Sequence, residues 1–236
     1  MLRTLFFYIT FFPWTFLSAV IALFTSLISP EKTHQFIHFW GRVCLFLAGL
    51  KIEVKGTENI PLDKPAIYVS NHQSNFDIPI IYSGLPIPFN WLAKKELFRV
   101  PLFGLGMKRN GNIPIDRSNR KTTMHSIITA AQRIKEGTSI IIFPEGTRSP
   151  DGHLQKFKKG ALLIAAKARV PVVPIAIHGS YQIQPKDRWK IESGKVKLNI
   201  LPPISTTDLK TSDIDQLTEK VHTMIATSLQ GAPANA

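Results

Sequence analysis

The sequence has a single cysteine and a shortage of acidic residues. One cysteine, Cys44, excludes an internal disulfide and a cysteine-based metal site. Only 16 Asp and Glu residues oppose 29 Lys and Arg residues, which leaves the 236-residue chain with a formal net charge of +13. An excess of this size calls for an anionic partner, such as nucleic acid, anionic lipid headgroups or a phosphorylated metabolite. Nucleic acid is not favoured, because the chain has no helix-turn-helix, zinc-finger or ribonucleoprotein motif.

Charge is also missing from the start of the chain, where no Asp, Glu, Lys or Arg lies between Thr4 and Pro30. The nearly all-apolar run Leu5–Ile28 is long enough to cross a bilayer as a helix. It is longer than the core of a typical signal peptide, so cleavage is less favoured. The alternative is a buried helix of a soluble fold. Basic residues are far denser after the run than before it, which predicts a membrane-bound protein at the cytoplasmic face of the inner (cell) membrane.

A second helix is predicted directly after this run. Ser29 is a suitable N-cap, and Pro30 suits the first helical position. Apolar residues then recur at helical spacing, which indicates an amphipathic helix that returns along the membrane surface or packs on the next domain. We therefore expect residues 1–50 to form a membrane-associated helical segment and residues 51–236 to form the main domain.

Short β-rich runs alternate with helical stretches through the rest of the chain. This order predicts an α/β fold, with a central mostly parallel or mixed sheet flanked by helices and a membrane-embedded two-helix motif at the N-terminal end. Functional side chains should gather at the sheet edge where strands end. The predicted strands are Ile52–Lys55, Ala66–Ser70, Asn90–Ala93, Ile113–Asp116, Ser139–Phe143, Val172–Ile177 and Val196–Ile200. The predicted helices are Phe76–Ser83, Lys121–Glu136, Gly160–Lys167 and Asp213–Leu229.

A histidine and an aspartate stand five positions apart in Ser70–Asp77, directly after the apolar run Ala66–Val69. Ser74 is a suitable N-cap with Asp77 three residues on, so a helix is predicted to begin here. His72 then lies on a sharp turn, and the Asp77 carboxylate can accept a hydrogen bond from one ring nitrogen. The other nitrogen is free to take a proton from an alcohol, as a general base does. The alternative is that His72 is an ordinary polar residue and Asp77 only caps the helix.

Two arginines follow further predicted strands. Arg117 closes the segment Gly111–Arg117, and Arg148 lies in Phe143–Ser149, after the apolar strand Ile140–Ile142. A guanidinium group can bind a phosphate through two parallel hydrogen bonds. The alternative is that each arginine is a solvated surface charge.

The segment that contains Arg148 has other candidate groups. Gly146 and Thr147 allow a tight turn whose amides can point at an anion. Glu145 can hold one of the arginines in place. The later apolar segment Val170–Ile175 is interpreted as a wall of the site or of an acyl tunnel, or else as ordinary core.

Basic residues are concentrated between residues 94 and 121, where only Glu96 and Asp116 oppose them. Part of this cluster is expected to contact anionic lipid, at about 1 kcal/mol per basic residue near the surface. Another part can dock a phosphorylated acyl carrier. The basic residues are Lys94, Lys95, Arg99, Lys108, Arg109, Arg117, Arg120 and Lys121.

Taken in order, these segments resemble the four sequence blocks of the glycerolipid acyltransferase family, most closely its bacterial 1-acylglycerol-3-phosphate acyltransferases. The resemblance covers residues from about 50 to 205, and Pro114 departs from the large apolar residue usual at its position. The resembling segments are Asn71–Asp77, Gly111–Arg117, Phe143–Ser149 and Val170–Ile175, together with Ala93–Leu97 and Pro202–Ile204.

The resemblance implies transfer of a fatty acyl group from a thioester to the sn-2 hydroxyl of lysophosphatidic acid, giving phosphatidic acid. His72 would be the base and Asp77 would fix its tautomer, while Arg117 and Arg148 would grip the glycerol phosphate. Backbone amides near His72 or Gly146 would stabilise the oxyanion. The acyl donor is expected to be acyl-CoA or acyl carrier protein, with no cofactor or metal. The other substrate-binding candidates are Lys94, Glu145, Gly146 and Thr147.

Other functions stay open at this point. The acceptor could be another lysophospholipid or a different lipid. A non-catalytic protein that binds anionic membranes would explain the charge and the apolar run, but not the ordered blocks. A soluble nucleic-acid binder is a third possibility. No Gly-x-Ser-x-Gly nucleophile motif is present, so direct attack by the acceptor hydroxyl is preferred to an acyl-enzyme.

Overall fold

The structure, a computed structural model, describes residues 1–116 and 119–231. Its strands are β1 (Leu50–Lys55), β2 (Ile67–Ser70), β3 (Asn90–Lys94), β4 (Ile113–Ile115), β5 (Ile140–Ile142), β6 (Val172–His178) and β7 (Gly194–Ile200). Its helices are α1 (Leu2–Ile28), α2 (Pro30–Ala48), α3 (Asp77–Gly84), α4 (Phe103–Arg109), α5 (Arg120–Lys135), α6 (Gly160–Ala168), α7 (Ser180–Ile183) and α8 (Ile214–Gln230).

The seven strands form one sheet in the order β1-β7-β6-β2-β5-β3-β4. Every neighbouring pair is parallel except β6 and β7, which are antiparallel. The mixed α/β sheet that the sequence predicts is therefore present, and each predicted strand overlaps an observed one.

Successive side chains of the central strands pack alternately in two separate cores. Ile67 and Val69 of β2 lie in the core that includes apolar residues of α5, α6 and α8. Tyr68, between them, lies in the core that includes residues of α2 and α3. This alternation is the period of two that a strand imposes, and here both faces are covered by helices.

The topology brings several chain segments to one edge of the sheet. Because β2, β3, β4, β5 and β6 run in the same direction, the residues that follow each of them lie at that edge. Strand β7 runs the other way, and β1 is parallel to β7. The beginning of β1 therefore lies at the same edge as the end of β2, which brings the end of α2 there as well.

Among the described residues, α1 is the one helix long and apolar enough to cross a membrane. Only 11% of its most apolar stretch is buried within the protein. The alternative of a buried core helix is therefore wrong, and membrane association is the interpretation that fits this exposed apolar surface. Its exposed large side chains include Phe6, Ile9, Phe16 and Phe24.

Helix α2 folds back along α1 and then packs on α3. Its N-cap is the predicted one, since the Ser29 side chain accepts a hydrogen bond from the N–H of Lys32. Trp40 donates its indole N–H to Thr15 of α1, and the Tyr82 side chain of α3 lies against α2 at Gly41. Of the two arrangements predicted for this helix, the structure has the one packed on the following domain. The division at residue 50 stays a prediction.

The first two turns of α1 pack against the domain. Phe7 is buried in the same core as Phe76, and the two rings are 5.5 Å apart. The Tyr8 hydroxyl donates a hydrogen bond to the carbonyl oxygen of Trp189 and accepts one from the Gln184 side chain. The apolar helix is thus attached beside the N-terminal end of α3.

Helices α4 and α7 are absent from the sequence prediction. Helix α4 contains Gly104 and Gly106 within seven residues, and glycine disfavours an isolated helix. Helix α7 has only four residues. Both depend on packing that local sequence does not encode.

Asn71 extends the pairing of β2 with β6 after the main chain has turned away. Its fully buried side chain donates to the carbonyl oxygen of Ile177 at 2.9 Å and accepts from the Ile177 N–H at 2.8 Å. We expect Asn71→Ala to lower the free energy of unfolding by about 2–5 kcal/mol, because two buried peptide groups lose their partner. Chemical denaturation in detergent measures this loss.

The matched control is Asn199→Ala, which removes one hydrogen bond, from a half-buried side chain to Ser228. A loss of about 1 kcal/mol is expected there. Equal losses in the two variants would contradict the role given to Asn71.

Candidate active site

The candidate site begins where β2 ends. Asn71 fixes the chain against β6, and the next residue, His72, lies on the turn that leads into α3. Its side chain is only 16% exposed. The His72 Nδ1 and an Asp77 carboxylate oxygen, Oδ2, are 2.8 Å apart. The structure thus brings together the two residues that the sequence pairs.

Asp77 is completely buried and is fixed by peptide groups. The same oxygen accepts the N–H of Gln73 at 2.7 Å and of Ser74 at 2.9 Å. With two fixed donors on the carboxylate, the aspartate has little freedom to turn away from the imidazole. Hydrogen bonding by Asp77 favours the tautomer with its proton on Nδ1. Within the described residues, no recorded hydrogen bond uses the other ring nitrogen, Nε2.

The predicted start of α3 is partly wrong. The helix begins at Asp77, and Phe76 before it provides no side-chain cap. Ser74 accepts a hydrogen bond from the Phe76 N–H at 3.2 Å, one residue earlier than a capping box requires. The carboxylate half of that motif is present, because Asp77 reaches back to the Ser74 N–H.

Glu145 lies against the His72 turn, and its partners among the described residues are backbone N–H groups and not Arg148. Its Oε1 accepts the N–H of His72 at 2.7 Å, and its Oε2 accepts the N–H of Gln155 at 3.2 Å. The side chain is 4% exposed. Both oxygens serve backbone donors, so Glu145 supports the main chain on which His72 stands.

Burial raises the pKa of Glu145 to about 7. The negative charge of Asp77 raises the pKa further, while the two peptide donors, from His72 and Gln155, lower it. Desolvation exceeds the effect of the donors, because a carboxylate loses more solvation in this interior than two N–H groups return.

The segment Phe143–Ser149 holds His72 from two more directions. The Ser149 N–H donates to the His72 carbonyl oxygen at 2.8 Å. The Phe143 ring stacks on the imidazole with centroids 3.9 Å apart and planes 7° from parallel. Sequence reasoning did not assign these contacts to Phe143 and Ser149, and their position just after a buried strand was the available signal.

The other candidates around this segment have different surroundings. Gly146 has a φ of 79°, so the tight turn predicted there is present and needs a residue without a side chain. Thr147 is exposed. Arg148 is one-quarter exposed, and its guanidinium lies 3.8 Å from the exposed Asp187 carboxylate. Lys94 is exposed at the end of β3, on the same sheet edge.

Two further predictions concern Arg117 and the apolar segment Val170–Ile175. Arg117 lies outside the described residues. Val170–Ile175 was interpreted as a wall of the site or of a tunnel, or as core. Val172, Val173 and Ile175 are fully buried in the central strand β6, where they pack in the two cores. The core interpretation fits these side chains.

The amides proposed for the oxyanion are already engaged. Carboxylates accept the N–H groups of His72, Gln73 and Ser74, and the Gly146 N–H donates to the Phe143 carbonyl oxygen at 3.1 Å. In this arrangement these four groups hold the site together and have no N–H to offer a substrate. That other backbone amides near His72 or Gly146 stabilise the oxyanion stays a prediction.

Comparison with known proteins places this geometry in a family. A family model described as Acyltransferase matches residues 51–178. The chain is 37% identical over 211 residues to the chloroplastic 1-acyl-sn-glycerol-3-phosphate acyltransferase LPAT1 of Arabidopsis thaliana, covering 87% of this chain and 57% of that protein. It is 35% identical over 208 residues to a 1-acyl-sn-glycerol-3-phosphate acyltransferase of Pseudomonas aeruginosa, covering 85% of this chain and 80% of that protein.

A solved structure is similar along nearly the whole chain. The crystal structure of the 1-acyl-sn-glycerophosphate (LPA) acyltransferase PlsC from Thermotoga maritima matches with a TM-score of 0.84 and 31% identity. The match covers 99% of this chain and 97% of that one. By contrast, the chain spans only 57% of the length of the Arabidopsis and Brassica relatives.

The raised pKa of Glu145 predicts a pH-dependent stability. Between its usual value of 4.5 and about 7 the folded protein holds a proton on Glu145 that the unfolded chain has lost. The free energy of unfolding should therefore fall by about 3 kcal/mol as pH rises through this range, relative to Glu145→Gln, which has no such proton. Urea denaturation of both proteins in detergent at several pH values measures the difference. Parallel pH profiles would contradict it.

Proposed function

This chain belongs to the acyltransferase family, and we propose that it transfers a fatty acyl group from an acyl thioester to the sn-2 hydroxyl of 1-acylglycerol 3-phosphate, giving phosphatidic acid. The observation that carries the proposal is the 2.8 Å contact between His72 and a buried Asp77 that peptide groups hold in place. The names of the relatives support the choice of acceptor.

Acyl transfer to an alcohol needs one general base. An alcohol is too weak an acid to ionise at neutral pH, so its proton must leave as the oxygen attacks. Nε2 of His72 takes that proton while the hydroxyl oxygen forms a bond to the thioester carbonyl carbon. Asp77 keeps the other ring proton on Nδ1 and stabilises the imidazolium that forms.

The same histidine completes the reaction. The tetrahedral intermediate collapses, the carbon–sulfur bond breaks, and the departing thiolate takes the proton from Nε2. The products are the ester and a free thiol, and His72 returns to its neutral state. Asp77 and Glu145 keep the imidazole in place throughout, which supplies the fixed geometry that such a reaction needs.

Basic side chains at the sheet edge where His72 lies are assigned to substrate binding. Arg148 directly precedes Ser149, which bonds the peptide of His72, and we assign it to the acceptor phosphate together with Arg117. Gly146 and Thr147 shape the turn beside it, and Lys94 adds charge at the end of β3. Glu145 acts through the main chain of His72.

The donor and the location belong to the same proposal. Acyl-CoA and acyl carrier protein are both anionic thioesters, and the net charge of +13 suits either of them. No cofactor or metal is required, since a thioester is already activated. The exposed apolar helix α1 and the basic domain suit a protein bound to anionic lipid at the cytoplasmic face of the inner membrane.

An acceptor panel tests the function. The full chain in detergent is supplied with 1-acylglycerol 3-phosphate, other lysophospholipids and glycerol 3-phosphate, each with acyl-CoA and with acyl carrier protein as donor. Phosphatidic acid is the expected product. Preference for another acceptor would reassign the substrate, and no transfer with any pair would favour a non-catalytic membrane-binding protein.

Removing the base should abolish transfer. We expect His72→Ala to form no phosphatidic acid above background, with its thermal unfolding and membrane binding unchanged. Asp77→Asn should lose about 10⁴-fold in rate, because the amide supports the wrong tautomer. Phosphatidic acid formed per minute is the measurement. Substantial turnover by purified His72→Ala would exclude this mechanism.

Arg148 should affect the acceptor more than the donor. Losing a buried charged hydrogen bond typically costs about 2–5 kcal/mol, so Arg148→Ala should raise the KM for 1-acylglycerol 3-phosphate by about 30-fold or more. Arg148→Lys should recover only part of this, because an ammonium lacks the planar fork. Steady-state kinetics with each substrate varied in turn measures both KM values.

The matched control is Asp187→Asn, which removes the exposed partner of Arg148 without touching the guanidinium. Exposed ion pairs contribute little, so its kinetics should match those of the wild type. A defect of Arg148→Ala confined to the thioester would mean that this arginine binds the donor.

A further inference from the structure

The segment that follows β3 exposes an unusual amount of apolar surface. Residues 97–105, here called the apolar turn, include the end of a 3₁₀ helix, Lys95–Arg99, and the beginning of α4. Five large apolar side chains of this turn are each between 42% and 47% exposed. They are Leu97, Val100, Leu102, Phe103 and Leu105.

The apolar turn is tightly packed on the side that faces the protein. Phe98 and Met107, the apolar residues that point inward, are already buried. A Cβ atom added at Gly104 would clash with the carbonyl oxygen of Phe98, so the two short helices touch through their backbones. The inner side is therefore full, and the five outer side chains have no room inside.

The apolar turn adjoins the apolar surface of α1. It follows β3, so it lies at the sheet edge where His72 stands. Helix α4 packs against α1. The outer side of α1 exposes Leu5, Phe6 and Ile9 near its beginning. Two helices that each expose large apolar side chains thus pack against each other.

Basic residues flank the apolar turn on both sides. Between residues 94 and 115 the chain has a single acidic residue, Glu96. Lys95 is paired with Asp116 at 2.8 Å, and the other basic side chains are exposed. Those are Lys94, Arg99, Lys108 and Arg109. An apolar centre with basic flanks matches the boundary between acyl chains and anionic headgroups.

We propose that the apolar turn is a second membrane contact, which inserts into the leaflet that holds α1 and places Lys108 and Arg109 among anionic headgroups. Two contacts at one sheet edge fix the orientation of the domain, so that the His72 edge faces the lipid. The kinetic consequence rests on the proposed function; the insertion does not. The acceptor would then pass from the membrane to the site without crossing water.

Fluorescence at single cysteines tests the insertion. In Phe103→Cys the new thiol is labelled with an environment-sensitive nitrobenzoxadiazole group, in the full chain reconstituted into vesicles of phosphatidylcholine and phosphatidylglycerol. The native Cys44 should stay unlabelled in the folded protein, because it is fully buried and burial raises the pKa of its thiol to about 12. Wild-type protein treated with the same reagent checks this.

The control is Leu62→Cys with the same label. Leu62 is apolar and 85% exposed, but it precedes β2 and so lies at the opposite edge of the sheet. We expect the label at position 103 to emit at shorter wavelength in vesicles and to be quenched by lipids that carry a spin label in the acyl chain. The label at position 62 should respond to neither. Equal responses at the two positions would overturn the proposal.

A second copy of the chain is the other occupant that could cover this surface. In that case the label at position 103 would be shielded in detergent as well, and quenching by lipid would be absent. A shift that depends on protein concentration and not on lipid would therefore overturn the membrane contact.

Kinetics supply an independent test. Val100→Gln with Phe103→Gln should raise the apparent KM several-fold for a long-chain acceptor presented in the same vesicles, while leaving kcat/KM unchanged for a short-chain, water-soluble acceptor. Leu62→Gln is the matched control and should change neither value. A loss with both acceptors would indicate a damaged site and overturn the proposal, as would no loss with either.

The two kinds of failure can be separated. Insertion of the label in Phe103→Cys, together with a wild-type protein that transfers no acyl group to any acceptor, would overturn the proposed function and support the membrane contact. Acyl transfer by the wild-type protein, together with a label at position 103 that stays in water, would support the proposed function and overturn the membrane contact.

Discussion

Two buried carboxylates hold the turn that carries His72, and the rest of the site depends on this arrangement. A chain that leaves a strand and enters a helix has N–H groups without partners in either element. Asp77 accepts two of them and Glu145 accepts the N–H of His72 itself. Glu145 follows His72 by 73 positions, so the turn is complete only when β5 lies beside β2. The parallel pairing in the middle of the sheet therefore sets the position of the imidazole.

This arrangement has an electrostatic cost. The charge of Asp77 adds to desolvation in raising the pKa of Glu145, so the buried position disfavours the charged form of Glu145. A neutral amide in place of either one would relieve the repulsion, but an amide nitrogen cannot accept an N–H bond. The protein keeps both acids because each satisfies peptide donors that would otherwise be buried without a partner. Stability is lowered at the place where the geometry of His72 is fixed, as is common where function constrains a structure.

The sequence predicts regular elements well and long-range partners poorly. Strands such as Ile140–Ile142 are short runs of β-branched residues, which favour strands over helices. The contact of His72 with Asp77 is local, so spacing alone suggests it. Charge complementarity favours an arginine as the partner of Glu145, whereas the observed partners are the backbone N–H groups of Gln155 and His72. His72 is 73 positions away and becomes a neighbour only through sheet order. Helix α4, with its two glycines, forms because it packs on Phe98 and α1, and no local pattern records that packing.

The N-terminal helices and the candidate site are linked by the topology. Since β7 is antiparallel to β6 and β1 is parallel to β7, the chain must enter the sheet at the edge where His72 lies. An apolar helix placed before β1 is therefore brought to that edge, where Phe7 packs in the same core as Phe76, next to Asp77. The helix that would hold the protein in a membrane thus packs in the same core as the residue next to Asp77. Movement of α1 relative to the sheet would disturb the N-terminal end of α3, so the membrane-facing surface and the position of Asp77 cannot vary independently.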